Sequence, residues 1–377
     1  MKNKRQHFVP QHYLRQFRID GTNLIATSLV QPYRFIGPTA INKQCQSSYF
    51  YGADGELDQV MSQFEINLAP LLKSVSEKRS FDSAELPGLQ MLAALLHVRT
   101  RKAVEKAKLF PKRVALEFFN AGIKSGRLPA PKGGLTEDMI DFDGVADELI
   151  KTALIPAWME MHTLECKLLA PAQDSFFVTS DEPVIMMNEY AARLNGKREF
   201  VGFAQSGFQL LLPLSPTLCA FFYDPGIYKV GNRKDKLVTL SPSDVEILNS
   251  LHLQSAENCI YFHSVSLEAR MAALNARYGR LRKPLSDLVR TLPGWAENDE
   301  ILHIRSEGAK LPTAWRFCQY RKNLRRKVGE RRNPDWTATI MHLEDDMIRN
   351  PGIEDITERV ERMVAEAKVR TSSVCDQ

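Results

Sequence analysis

Between Glu56 and Arg79 the apolar residues Leu57, Val60, Met61, Phe64, Leu68, Leu71, Leu72 and Val75 recur every three or four positions, the spacing of a helix with one buried face. A second helix is predicted from Ser83, an N-cap residue type, with Pro87 and Gly88 near its start; it runs through the apolar stretch from Leu89 to Val98 into a charged continuation. A third covers Val114 to Ile123 and stops at the Gly- and Pro-rich loop 126–134. Thr136 opens a long helical region toward Leu169, with Pro156 as a kink or break. From Ser175 the pattern changes to short β-rich runs: Phe176 to Val178, Val184 to Met187, Phe208 to Leu212, Leu218 to Tyr223 and Ile260 to His263. These runs predict a mixed or antiparallel sheet. Helices follow from Ser241 to about Ala256 and from Leu267 to Tyr278, and beyond Pro284 the periodicity weakens.

Ahead of the first long helix, the Pro10-led segment reads as a brief helix with Pro at its first turn, followed by strand-like runs from Asn23 to Val30 and Tyr33 to Ile36. The fold class is therefore α+β: a helix-rich first half packed on a mixed or antiparallel sheet. To this are added a small N-terminal β-containing cap (1–52) and a helical, basic C-terminal extension. The divisions are 1–52 cap, 53–173 helical, 174–265 sheet-rich and 266–377 extension, with the last 45 or so residues peripheral.

Composition narrows the class further. At 377 residues, 44% hydrophobic and 25% charged, the chain has ordinary globular composition. Its longest apolar runs, such as Met91 to Val98 with His97 inside, fall short of the roughly 18 to 20 residues that span a bilayer. The basic start lacks the apolar stretch of a secretory signal, so a cytoplasmic protein with no membrane partner is expected. Six cysteines without a CxxC pair suggest neither a zinc ribbon nor a disulfide framework, and are expected to be reduced core residues. The net charge of +5 is mild. Its distribution is not, because Tyr320 to Arg332 carries seven Lys or Arg (Arg321, Lys322, Arg325, Arg326, Lys327, Arg331, Arg332) against one Glu. With Trp315, Tyr320 and Trp336 nearby, that run suits a nucleic-acid backbone with base stacking, or a solvated helical face.

Candidate chemistry lies elsewhere. His7 and His12 bracket Pro10, a spacing that aims two imidazoles at one divalent metal or phosphate if the chain turns there, given carboxylates from other segments. The plainer role is a hydrogen bond that docks the N-terminal cap. Arg99 falls on the helical face of Leu92, Leu95, Leu96 and Ala103, so a permanent cation points at a core and requires a partner. Glu65 and Asp181 are the two candidates. Either closes a buried Arg–carboxylate clamp, or Arg99 holds an anionic substrate while Asp181 or Glu65 binds metal or serves as general base. Asp181 has its own structural use, because Ser-Asp before a turn commonly caps backbone amides. His162, His252, His263, His303 and His342 show no metal spacing. P-loop, GxGxxG, GxSxG and HExxH motifs are absent from the sequence, which lowers the standing of ATP-driven, dinucleotide and common serine-hydrolase mechanisms.

Five pieces occur in order: HFVPQHYLRQF at the start, FYG followed by a helix containing Glu65, HVRT at His97 to Thr100, SDEPV at Ser180 to Val184, and LPLSP at Leu212 to Pro216. Together they resemble the domain-of-unknown-function family 4238 over about residues 5 to 265. The resemblance implies a shared fold and brings no activity with it. The basic run falls outside it. Two expectations follow from the residues. One is a metal-dependent hydrolase of nucleic acid or a nucleotide, such as a bacterial toxin-like or phage-defence effector, with His7, His12, Glu65 and Asp181 as metal or acid/base groups and Arg99 as phosphate clamp. The other is a non-catalytic nucleic-acid- or protein-binding subunit of a larger assembly, for which an exposed apolar patch is the structural sign.

Overall fold

The computed structural model describes residues 4–30, 33–172, 174–195, 201–282, 289–293, 300–304, 308–322, 324, 328–338 and 340–341. The chain divides into two compact units, 1–333 and 334–377, and the account below concerns the first. Among the described residues no helix is long and apolar enough to cross a membrane.

The N-terminal segment contributes β1 (Arg5–His7), α1 (Gln11–Leu14), β2 (Asn23–Ser28), β3 (Arg34–Ala40) and β4 (Gln46–Ser48). Four helices follow: α2 (Glu56–Lys78), α3 (Leu86–Val98), α4 (Arg101–Lys124) and α5 (Val145–Met161). The sheet-rich part holds β5 (Glu165–Pro171), β6 (Thr179–Ser180), β7 (Ile185–Met187), α6 (Glu189–Asn195), β8 (Gln209–Ser215), β9 (Leu218–Tyr223), β10 (Tyr228–Val230) and β11 (Leu237–Leu240). Then come α7 (Pro242–Ser255), β12 (Cys259–Phe262), α8 (Glu268–Tyr278), β13 (Val289–Pro293), β14 (Glu300–Ile304) and β15 (Cys318–Tyr320). The class is α+β with mixed and antiparallel sheets.

The central sheet has the order β11-β5-β9-β8-β7, antiparallel except for the β11–β5 pair. Both of its faces are buried. Leu210, Leu212, Leu218, Ala220 and Phe222 pack with the α2, α3 and α5 side chains, while Leu211, Cys219, Phe221 and Tyr223 pack with Val245, Leu248 and Leu251 of α7 and with Trp315. A strand covered on both faces has no polar alternation to show, which is why these segments read as continuous apolar runs. The second sheet, β3-β2-β12-β6, inserts β12 between the N-terminal hairpin and β6, with Cys259 opposite Ser28 and Ile260 opposite Ser180. The Tyr13 hydroxyl, fully buried on α1, pairs with Thr179 Oγ1 at 2.8 Å and donates to the Pro213 carbonyl at 2.8 Å, tying α1 to both sheets.

Several elements differ from the sequence expectation. The long helix toward Leu169 ends at Met161 with Pro156 inside it, and Glu165–Pro171 is instead the strand β5. The second helix does not run on into its charged continuation. It stops at Val98, and Thr100 caps a new helix by accepting from the Ala103 amide at 3.2 Å. The third helix is the second half of that same α4, which carries Pro111 in its interior. Cys45, Cys166, Cys219, Cys259 and Cys318 are free thiols; Cys375 lies outside the described residues.

Candidate functional site

Because the α3 helix ends at Val98, Arg99 occupies its C-cap and turns its side chain into the interior, where it is 1% exposed. Each of its three nitrogens has a contact. Nε donates to the Tyr51 hydroxyl at 2.9 Å, Nη2 donates to the His7 carbonyl at 2.7 Å, and Nη1 lies 2.9 Å from Glu65 Oε1 in an ion pair. Tyr51 closes the ring by donating to the same His7 carbonyl at 3.1 Å. One guanidinium thus joins β1, the loop after β4, α2 and α3.

The other Glu65 oxygen sits 3.5 Å from His12 Nδ1. Desolvation works to raise the pKa of the Glu65 carboxyl, but the hydrogen bond from His12 and the Arg99 charge outweigh it and hold the group below its ordinary range. His12 Nε2 is buried without a hydrogen-bond partner among the described residues. The His7 ring is engaged at both nitrogens: Nδ1 is 3.0 Å from the Gln44 carbonyl and Nε2 is 3.1 Å from Gln11 Nε2. A carbonyl only accepts, so Nδ1 carries the proton and Nε2 takes the Gln11 amide. Burial moves the His7 pKa down, against the pull of the Gln44 bond. The backbone around β4 is tightly wound to make this arrangement, with Cys45 and Tyr49 at positive φ.

Asp181 is used differently. Its Oδ1 accepts from the Glu257 amide at 3.0 Å, and its Oδ2 accepts from Asn258 at 2.6 Å and Cys259 at 3.1 Å. It therefore caps the chain entering β12, the backbone role open to a Ser-Asp pair before a turn. Burial raises its pKa in spite of these three bonds. Its neighbour Glu182 is also buried, hydrogen-bonded by Thr100, and burial pushes its carboxyl up to about 8 against the attraction of Lys102. The proposed metal trio of His7, His12 and Asp181 does not converge. Among the described residues no group of three or more His, Cys, Asp or Glu is placed to hold a metal. The donors explain why: both nitrogens of His7 and both oxygens of Asp181 already serve the fold.

The basic run divides as well. Arg332 is not a surface cation; it is buried, donating to the carbonyls of Glu160 at 2.8 Å, Phe203 at 2.7 Å and Gln205 at 3.3 Å and to Thr163 Oγ1 at 2.6 Å. Arg321 donates to the Pro225 carbonyl from an exposed position, and Lys322 and Arg331 are exposed. Arg325, Arg326 and Lys327 lie outside the described residues.

Two features escaped the sequence reading. A cleft of about 610 Å³ lies between Ser48 and Phe50, the α4 residues Arg101, Glu105 and Lys108, and the segment from Asp141 to Ala146. Its lining mixes both signs of charge, with Lys108 paired to Glu105 and Asp141. The second feature is the outer face of α4. Phe110 is 48% exposed, Val114 47% and Phe118 72%, at i, i+4 and i+8 on a helix whose inner face buries Val104 and Leu116. Phe119, with its ring edge-on to Phe118 at 6.0 Å, and Leu128 lie at the same end. The signal was present as that four-residue recurrence, hidden because the residues between are also partly apolar.

Neither the curated proteins nor the solved structures give a match to this chain. The sequence model of the family described as protein of unknown function (DUF4238) matches residues 5–266, a span that holds β1, Tyr51, Glu65, Arg99 and Asp181 and ends just after β12. With well over half of its length matched, the chain belongs to the DUF4238 family.

Proposed function

We propose that the chain is a non-catalytic, protein-binding subunit of a larger assembly, docking through the outer face of α4. One observation carries this reading: three large apolar side chains, Phe110, Val114 and Phe118, stand about half exposed or more along one line of a 24-residue helix. A contiguous apolar strip of that kind has a standing free-energy cost in water, roughly 25 cal/mol per Å² removed on docking, and marks an interaction surface. The Arg99 cluster supports it indirectly, since its polar groups are spent on fastening four segments together. The test is a Phe110→Asp/Phe118→Asp variant compared with the parent by light scattering after size exclusion and by co-purification. The parent should associate through this face, with itself or with another protein, and the variant should fold equally well and lose that association. A parent that forms no α4-dependent contact of either kind removes the reading.

A metal-dependent hydrolase acting on nucleic acid or a nucleotide is the second reading, favoured by the His12–Glu65 pair, in which Nδ1 faces the carboxylate and Nε2 has no partner among the described residues. Under it, purified protein holds near-stoichiometric metal by elemental mass spectrometry and cleaves phosphodiesters, and His12→Ala abolishes cleavage with stability retained. Metal-free protein whose properties are unchanged by His12→Ala counts against it.

A further inference from the structure

The docking partner is legible in the spacing of the α4 face. Ala107, Phe110, Val114, Phe118 and Ala121 follow one another at intervals of three, four, four and three, a sequence that reads the same in both directions. All five lie on the partly or fully exposed side of the helix. The span from Ala107 to Ala121 is two heptads, about 21 Å of helix, and a 3.5-residue repeat keeps a seam facing a second helix along its whole length.

Turning a copy of α4 end over end about an axis at Val114 brings Ala107 against Ala121 of the other copy, Phe110 against Phe118, and Val114 against itself. A two-fold interface demands this reciprocity, because residue i must meet j while j meets i. Few arbitrary partners would need a palindromic seam; a second copy does. Residue sizes follow the same symmetry, with a β-branched valine at the axis, a phenylalanine one turn away on each side, and alanine at both ends, so the helix axes can approach to the usual 8–10 Å.

The flanking charges agree. Arg113 and Glu117 border the seam and are already paired within the helix, Nε to Oε1 at 3.6 Å. The same rotation sets Arg113 of one copy two residues, about 3 Å along the axis, from Glu117 of the other, so each cation gains a second carboxylate, which offsets the Arg113 of the other copy at the same axial distance. Phe119 and Leu128, exposed at the end of the helix, extend the apolar area beyond the seam itself.

We propose that α4 forms an antiparallel, two-fold interface with α4 of a second copy of this chain. The inference rests on the docking role assigned above to that face and names its occupant. Full-length protein is followed by sedimentation velocity over a wide concentration range. The parent should sediment as a dimer, Phe118→Asp as a monomer, and Arg113→Glu should weaken dimerisation about tenfold or more, with Arg113→Glu/Glu117→Arg restoring it. Val114→Cys should give a reductant-sensitive covalent dimer on mild oxidation, whereas Lys73→Cys, 72% exposed on α2, should not. A dimer indifferent to these α4 substitutions overturns the proposal. So does a Val114→Cys disulfide formed within one chain to Cys375, which would place the C-terminal segment on this face. A monomeric parent whose α4 face instead holds a different protein overturns the second-copy inference and leaves the docking role standing. A monomer with no α4-dependent association overturns both.

Discussion

Arg99 behaves as a fastener whose value lies in what its loss would leave behind. Removing one partner of a buried ion pair costs about 3–5 kcal/mol, because the remaining charge is stranded. Arg99→Met should therefore lower unfolding stability by roughly that amount in a denaturant titration, while Tyr51→Phe, which deletes two hydrogen bonds at the same cluster, should cost about 1–2 kcal/mol. A neutral Arg99→Met would remove the clamp from the account. Glu182 makes a separate prediction about pH. Burial lifts its carboxyl from the ordinary glutamate value of 4.5 to about 8, so the folded state holds this proton where the unfolded chain has released it. The stability it contributes is full below the unfolded pKa and is lost as pH rises through the folded one. Thermal melts should show a falling Tm between about pH 5 and pH 8, and Glu182→Gln should flatten that slope. An identical slope in the variant would assign it to other groups.

At the scale of the element, α4 has two apolar faces with opposite consequences. Leu116 is buried on the inner face, so Leu116→Ala should cost about 2–4 kcal/mol in denaturation. Phe118→Ala, two positions on and about 200° around the helix, should stay within about 0.5 kcal/mol in a dilute sample and show its effect only in association. The two faces also explain what could be read from the sequence. α2 was legible from Leu57 to Val75 because only one side of it is covered and its period is clean; the predicted span 56–79 and the observed Glu56–Lys78 differ by one residue. β9 was legible because its run from Leu218 to Tyr223 is short, aromatic and bounded by turns. β5 was not, since Cys166 to Ala170 is buried on both faces, follows a helix directly and offers no alternation. Pro111 marks a different departure, because the helix predicted only from Val114 begins at Arg101. It sits inside α4 ahead of the predicted start at Val114, and a proline inside a helix withholds one amide and kinks or is tolerated according to its surroundings. For the cluster, residue types were readable and partners were not. Arg99 announced its need for an acid, but the choice of Glu65 over Asp181, and the role of Tyr51, depend on contacts 34 to 92 positions apart in sequence. Arg332 showed only its charge, although its carbonyl partners lie up to 172 positions away.

Over the whole molecule, the same economy of donors sets expectations for metal and concentration. Chelator should leave the Tm unchanged, because the His7 ring and the Asp181 carboxylate are held by Gln44, Gln11 and the 257–259 amides; a chelator-induced fall of several degrees would reopen those side chains as ligands. Self-association through α4 predicts instead a Tm that climbs with protein concentration, an effect Phe118→Asp should remove. The insertion of β12 into the N-terminal sheet has a consequence in time. Ser28 pairs with Cys259, 231 positions on, so the hairpin of β2 and β3 leaves the ribosome with one strand's backbone unpaired and waits for the chain to reach β12. At bacterial or eukaryotic synthesis rates of about 5–20 residues per second, that is a delay of roughly 10–50 s. For that interval the hairpin is an open template for any passing strand, and its safekeeping belongs to whatever binds nascent chains.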